Sequence, residues 1–357
     1  MSDDKQVQEA FYHWMPRFMA NNVDYNDLQR IRADLHSWDD WCWAWSAMGA
    51  EHERQADEAV AAGHRLTATE AYQRATIYYH FANAIFYRDK TQKEVAHLKK
   101  VACYAKAAPY LDPPAERLEI PFEETALPAY LRLPDSGGPH PCVILVCGLD
   151  SVKEQETAWE EAFLARGIAT FSFDGPGQGE MWGRMKLRLD YELAVVALVD
   201  YLSRRVEIDA SRIGLLGHSM GGYFGARAAA REHRLAAAVL LAGFFQLRPW
   251  PELSVFVRSG LQHMFGVATE AEAQALATQL SLEDVAADIR CPLLIVHGAK
   301  DTLIPLADAQ WLAKMTTCPT ELFVYPEGNH VMNNFVYRMR PQAADWLYDR
   351  LVRVREV

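Results

Sequence analysis

A serine set in Gly217-His218-Ser219-Met220-Gly221, with Gly222 directly behind it, carries the strongest chemical signal in this 357-residue chain. It follows Ile213-Gly214-Leu215-Leu216, an apolar run that reads as a buried strand, and it precedes an alanine-rich run at 223–230 that reads as a helix. On a strand-to-helix turn of this kind the serine hydroxyl projects above a sheet. The turn must then be too tight for side chains beside it, and glycines at 217 and 221 meet that need. Such a hydroxyl works as a nucleophile only with a base to take its proton, a carboxylate to orient the base, and donors for the oxyanion. Asp301, in His297-Gly-Ala-Lys-Asp301, and His330, in Gly328-Asn-His330, follow Ser219 in the chain order this arrangement uses, each just past a strand-like run. Each residue has a bland reading: a glycine-rich turn, a helix cap, an ordinary loop histidine. Together and in order they predict a triad of Ser219, His330 and Asp301.

The first oxyanion donor expected is the backbone N–H of Met220, at the start of a helix whose dipole favours negative charge. The second is the N–H of Leu149, on the turn after the apolar strand 141–147, where Gly148 permits a tight bend. Asp150, on the same turn, reads in two ways: as a group within reach of the substrate, or as the cap of a short helix at 152–156. His218 and His297 read as packed structural residues. The loop Asp174-Gly-Pro-Gly-Gln-Gly-Glu180 has the glycines of a phosphate loop but neither its lysine nor the spacing of a dinucleotide fingerprint, and it reads as a turn shaping the pocket wall. The histidines lack H-x-x-x-H and H-E-x-x-H spacing, so no metal and no cofactor is expected.

The elements that must position these residues follow an alternating rhythm. Two short strand-like runs at 118–122 and 126–133 form an entry hairpin, and strands at 141–147, 168–173, 213–216, 235–241, 292–297 and 320–325 then alternate with helices. Alternation of this kind implies an α/β fold, a mostly parallel doubly wound sheet. The rhythm breaks at about 243–290, where an apolar irregular stretch precedes a polar helix at 269–280; an insertion at this place reads as a lid over the serine. Residues 1–113 read instead as a helical domain, closed by Pro113-Pro114, with residues 114–357 forming the α/β domain. Trp38, Trp41, Cys42, Trp45 and Met48 recur at helical spacing. That stripe reads as helix-packing core, while Trp38, Tyr78, Tyr79, His80 and Phe86 have a second reading as pocket lining.

Composition narrows the partners. A formal net charge of −11 argues against nucleic acid, because phosphate binding needs a basic patch. No stretch has the uninterrupted apolar length of a membrane span, and Met1 to Gln6 lack the basic-then-apolar order of a secretory leader. Six cysteines without a C-x-x-C pair read as buried free thiols in a reducing, cytoplasmic compartment. A small-molecule carbonyl compound is the expected partner.

The block running from Cys147-Gly-Leu-Asp-Ser-Val-Lys-Glu through Phe173-Asp-Gly-Pro-Gly-Gln-Gly-Glu-Met, Gly217-His-Ser-Met-Gly-Gly, His297-Gly-Ala-Lys-Asp and Gly328-Asn-His resembles the 2,6-dihydroxypseudooxynicotine hydrolase family of α/β-hydrolases. The likeness extends into the N-terminal helices, and the branch is also similar to fungal hydrolases that shorten polyketides. This resemblance implies hydrolysis of a carbon–carbon bond next to a carbonyl, in an acyl-aromatic or 1,3-dicarbonyl substrate, with the leaving carbon stabilised as an enol. It further implies a homodimer and a helical domain that helps to form the site. A glutamate thought to assist catalysis in that family matches Asp150, whose side chain is shorter. The same triad also suits ester, thioester or lactone cleavage and acyl transfer, and a fold kept for binding alone is the alternative from another class.

Overall fold

Helical periodicity gives way to alternating strands near residue 115, and the computed structural model, which describes residues 5–134 and 137–353, divides there into two compact units, Met1–Glu116 and Arg117–Val357. Met1 to Asp4, which begin the expected non-secretory N-terminus, lie outside the described residues, as do two residues of the loop after the entry hairpin.

The first unit contains α1 (Lys5–Ala20), α2 (Tyr25–Asp34), α3 (Trp41–Ala61), α4 (Arg65–Asn83) and α5 (Lys90–Ala107). Asp24 and Asp89 cap α2 and α5, each accepting two backbone N–H bonds that the first helical turn leaves open. The aromatic stripe is core: Phe18 packs at 4.8 Å from both Trp45 and Phe81, and the Trp41 indole donates to the Phe81 carbonyl at 2.9 Å. Trp38, Tyr78, Tyr79, His80 and Phe86 are all buried. Tyr78 donates to Asp27 at 2.8 Å, so its hydroxyl is satisfied inside this unit.

In the second unit the strands are β1 (Ala115–Phe122), β2 (Thr125–Arg132), β3 (His140–Val146), β4 (Ala169–Phe173), β5 (Ile208–His218), β6 (Ala237–Leu241), β7 (Leu293–Gly298) and β8 (Thr320–Tyr325). They form one sheet in the order β1-β2-β4-β3-β5-β6-β7-β8. β2 runs antiparallel to β4, and every pairing from β4 to β8 is parallel. Parallel strands need crossovers, and these are supplied by α6 (Thr157–Leu164), α7 (Glu192–Leu202), α8 (Met220–Arg231), the pair α9 (Val255–Phe265) and α10 (Glu270–Ala277), and α11 (Leu306–Met315), while α12 (Val336–Leu351) follows the last strand.

The unbroken apolar run in β3 follows from burial on both faces. Cys142, Ile144 and Val146 join the core that includes α7 and α8, whereas Val143 and Leu145 join the core that includes α6 and α12. Two local expectations change. The insertion between β6 and β7 is less irregular than its sequence suggests: Ser254 caps α9 by accepting from the Val257 N–H, and Gly266 ends it in the left-handed region. The short helix expected at 152–156 is only a single 3-10 turn, Lys153–Gln155, preceded by Val152, so Asp150 does not cap it.

β5 lies in the middle of the sheet and ends at the serine turn. A Cβ on Gly221 would sit 2.1 Å from the Val146 carbonyl oxygen, so the turn and the end of β3 touch backbone to backbone. Gly221→Ala is therefore expected to lose at least about 2 kcal/mol in urea unfolding, whereas Gly137→Ala, which meets no atom, should stay within about 0.5 kcal/mol of the native chain.

Candidate active site

Ser219 occupies the turn between β5 and α8 with φ 56° and ψ −125°, a backbone region that a side chain enters only under strain of about 1–3 kcal/mol. The surroundings hold it there. Its N–H donates to the Leu241 carbonyl at 2.8 Å, and its own carbonyl accepts from the Gly222 N–H at 2.8 Å.

Asp301 and His330 stand on the loops after β7 and β8, the next strands along the sheet after β6. Those loops touch closely, since a Cβ on Gly298 would lie 2.3 Å from the Gly328 carbonyl oxygen. His330 Nε2 is 2.8 Å from Ser219 Oγ, and His330 Nδ1 is 2.8 Å from Asp301 Oδ2. The other Asp301 oxygen accepts the N–H groups of Leu303 and Ile304 at 2.8 and 3.0 Å. Burial alone would raise the Asp301 carboxyl, but the charge and hydrogen bond of His330, with the Ile304 N–H, outweigh it and hold the group below its ordinary range. A carboxylate kept ionised and fixed at both oxygens locks the imidazole with Nε2 facing the serine. His297 is buried and donates through Nε2 to the Ile304 carbonyl at 2.9 Å; burial first, and His330 as well, keep it below its ordinary value, as suits a neutral structural residue.

Ser219, Met220, Leu149 and His330 line one cavity of about 210 Å³. Most of its remaining wall comes from the insertion between β6 and β7, including Leu247, Leu253, Val257 and Leu261. The turn carrying Leu149 lies against the serine turn: a Cβ on Gly148 would be 3.3 Å from Ser219 Cβ. Asp150 follows on that turn, half-buried, and is not among the residues lining the cavity.

The loop 174–180 does different work from the pocket wall expected of it, and none of its residues lines the cavity. Gln178 donates to the carbonyls of Cys147 and Gly148 at 2.9 and 2.7 Å, and Tyr191 donates to Gln178 at 2.7 Å. Asp174 accepts the backbone N–H groups of Lys153 and Glu180 at 3.1 and 2.9 Å. At the centre the fully buried Lys153 ammonium reaches Glu154 at 2.5 Å, Asp174 at 2.7 Å and Glu180 at 2.6 Å. These three carboxylates have the spacing of a metal site, but a lysine cation already sits among them. Burial would lower the Lys153 pKa; the carboxylates reverse this and keep it charged. Burial likewise would raise Glu180, yet hydrogen bonds from Arg117 and the charge of Lys153 hold it at about 2. The network fixes the turn that presents Leu149, and sequence reasoning missed it because a lysine's burial leaves no trace in local periodicity.

A second buried pair lies behind the serine. His218 Nε2 is 3.1 Å from Glu156 Oε1, which also accepts from the Cys147 thiol at 3.6 Å. This agrees with reading His218 as a packed residue. All six cysteines are free. Among the described residues no helix is long and apolar enough to cross a membrane.

The chain matches the family described as FrsA-like esterase over residues 35–352. It is 37% identical to the 2,6-dihydropseudooxynicotine hydrolase of Paenarthrobacter nicotinovorans, with 98% of this chain and 95% of that protein covered. The 20-hydroxy-prefusarin hydrolase of Gibberella moniliformis is 30% identical, covering 73% of this chain and 74% of its own. Among solved structures, the crystal structure of the 2,6-dihydroxy-pseudo-oxynicotine hydrolase superposes with a TM-score of 0.88 at 35% identity, covering 96% and 97% of the two chains.

Asp301→Asn is expected to leave the fold intact and lower kcat by about 10⁴-fold, since the amide turns the imidazole to the wrong tautomer; circular dichroism and turnover of an aryl ester check both halves. Lys153→Met should lose about 3–5 kcal/mol at neutral pH, because it leaves buried carboxylates uncompensated. The lowered Glu180 adds stability that is complete above its ordinary value of 4.5 and disappears as pH falls through about 2. The gap between native and variant chains in urea unfolding should therefore narrow over that window.

Proposed function

The chain belongs to the FrsA-like esterase family of α/β-hydrolases, and on that footing we propose that it is a serine hydrolase that cleaves a carbon–carbon bond next to a carbonyl. The observation that carries the reading is the relay from Asp301 through His330 to Ser219, with both links at 2.8 Å and the serine opening on a cavity. His330 takes the Ser219 proton as Oγ attacks the carbonyl carbon, and the N–H groups of Met220 and Leu149 receive the negative charge that forms on oxygen. When the tetrahedral adduct collapses, the acyl group stays on Ser219 and the carbon fragment leaves with the bonding electrons as an enolate, which the His330 proton neutralises. Water, deprotonated in turn by His330, attacks the acyl-serine, releases the acid and restores the serine.

A carbon leaving group departs only if its charge is delocalised, which limits the substrate to 1,3-dicarbonyl and acyl-aromatic compounds of the kind the family resemblance implies. Asp150, on the same turn as Leu149, is assigned the part of donating a proton to, or positioning, the leaving carbon or oxygen. The insertion between β6 and β7 acts as the lid. Its attachment supports that role: Leu282 N–H donates to Phe245 O at 2.8 Å and Leu247 N–H to Leu280 O at 3.1 Å, closing the base of the insertion that carries α9 and α10. The reading includes a cytoplasmic homodimer acting on a small molecule. Residues 1–113 serve it as a separate helical domain and residues 114–357 as the catalytic one.

Ester cleavage by the same residues is the second reading, favoured by the esterase description of the matching family. A substrate panel separates them. 1,3-Diketones and acyl-phenols are expected to turn over with kcat/KM at least equal to that of simple aryl esters, and esters faster than every diketone by about 100-fold would reverse the order of the two. Ser219→Ala should lower turnover of any accepted substrate by at least about 1,000-fold with unchanged circular dichroism; unchanged turnover would remove the serine from the mechanism.

A further inference from the structure

Asp308 lies in the first turn of α11 and lines the same cavity as Ser219 and His330. Its Oδ2 is buried and has no hydrogen-bond partner among the described residues. A buried carboxyl oxygen left without a donor is costly, and such groups in folded proteins are nearly always satisfied by something. Most of the wall around it is apolar, and of the polar side chains that also line the cavity, Arg248, Glu252, Ser254 and Thr302 among them, Asp308 is the one with a buried atom left without a partner among the described residues.

The charges nearby define the missing donor. Arg248, from the segment after β6, lines the cavity and acts electrostatically on Asp308, while its guanidinium binds Glu252 Oε2 at 3.1 Å. Asp301 acts on Asp308 from the loop after β7, and the Phe245 backbone bonds to it. Burial, opposed by Arg248 and reinforced by Asp301, pushes the Asp308 carboxyl up to about 6. The group is thus largely ionised at neutral pH and accepts hydrogen bonds. A cationic ligand group would meet Arg248, so the donor that fits is neutral.

We propose that Asp308 is a specificity-determining residue that accepts a hydrogen bond from a neutral hydroxyl on the substrate, of the phenol or enol kind. The inference rests on the serine hydrolase reading and sharpens it: the substrate carries a hydroxyl besides the carbonyl attacked by Ser219. A site built to pair a buried acceptor rejects an analogue that lacks the donor, because the acceptor is then left unpaired.

Protection of Ser219 from a fluorophosphonate probe tests this without depending on which bond the enzyme breaks. Resorcinol and 1,3-dimethoxybenzene serve as matched ligands, and each variant is referred to its own unprotected labelling rate. In the native chain resorcinol should protect at a concentration about tenfold lower than dimethoxybenzene. In Asp308→Leu the ratio is expected to fall to about one, and in Asp308→Asn, which keeps an acceptor oxygen without the charge, to an intermediate value. Equal protection by the two ligands in the native chain overturns the inference whether or not a variant folds, as does an undiminished ratio in both variants. Failure of the probe to label Ser219 in folded native protein reads differently: it removes the nucleophile assignment, and this inference goes with it.

Discussion

The serine turn rests on a backbone contact that leaves no room for a side chain. Gly221 lies against the Val146 carbonyl, and a Cβ on Gly217 would fall 2.1 Å from the Gly221 carbonyl oxygen. Packing this close lets the turn hold Ser219 at a positive φ and bring the end of β3 beside it. Strain of this size persists only where the surroundings over-determine it. Here they comprise the parallel pairing of β3, β5 and β6, the bond from Ser219 N–H to Leu241, and the start of α8.

A second constraint acts on the turn after β3. A loop carrying Gly148 and Leu149 has no sheet pairing of its own to fix it, and the chain anchors it from behind. Gln178 caps the Cys147 and Gly148 carbonyls, and the Lys153 ammonium draws Glu154, Asp174 and Glu180 together. Burying a lysine is unfavourable by itself, and three carboxylates within 2.7 Å turn it into a clamp. The motifs around Lys153 and Asp174 are thus one device, separated in sequence and joined in space.

Three acidic residues show how environment assigns work to one functional group. Glu180, between Arg117 and Lys153, is held at about 2 and never changes charge near neutrality. Asp301 is held low by His330 and by backbone donors, which suits an orienting carboxylate. Asp308, facing a largely apolar cavity where Arg248 and the Phe245 backbone offset burial only in part, rises to about 6. Its carboxyl is the one of the three with an oxygen that no donor among the described residues meets.

Chemistry was legible wherever it depends on local pattern. The glycines around Ser219, the chain order of Ser219, Asp301 and His330, and the alternation of apolar strands with helices are all short-range features, and they determine the turn, the parallel sheet and which residues end beside one another. The aromatic stripe at Trp38, Trp41 and Trp45 also carries its meaning in its spacing. Other assignments needed the tertiary structure, because burial and charge pairing join residues far apart in the chain. Asp174 to Glu180 read as pocket wall and proved to be a brace behind it; the apolar stretch after Gly243 hid α9; Asp150 read either as a group within reach of the substrate or as a helix cap, and no helix of that length forms for it to cap. Nothing in the sequence singles out Asp308, because an acid in the first turn of a helix is a favourable place for any carboxylate. Sequence determined which residues form the relay of Ser219, His330 and Asp301, since this follows from turn geometry and strand order. Only the folded chain decided what braces that relay and which polar groups face its cavity, since both depend on long-range packing.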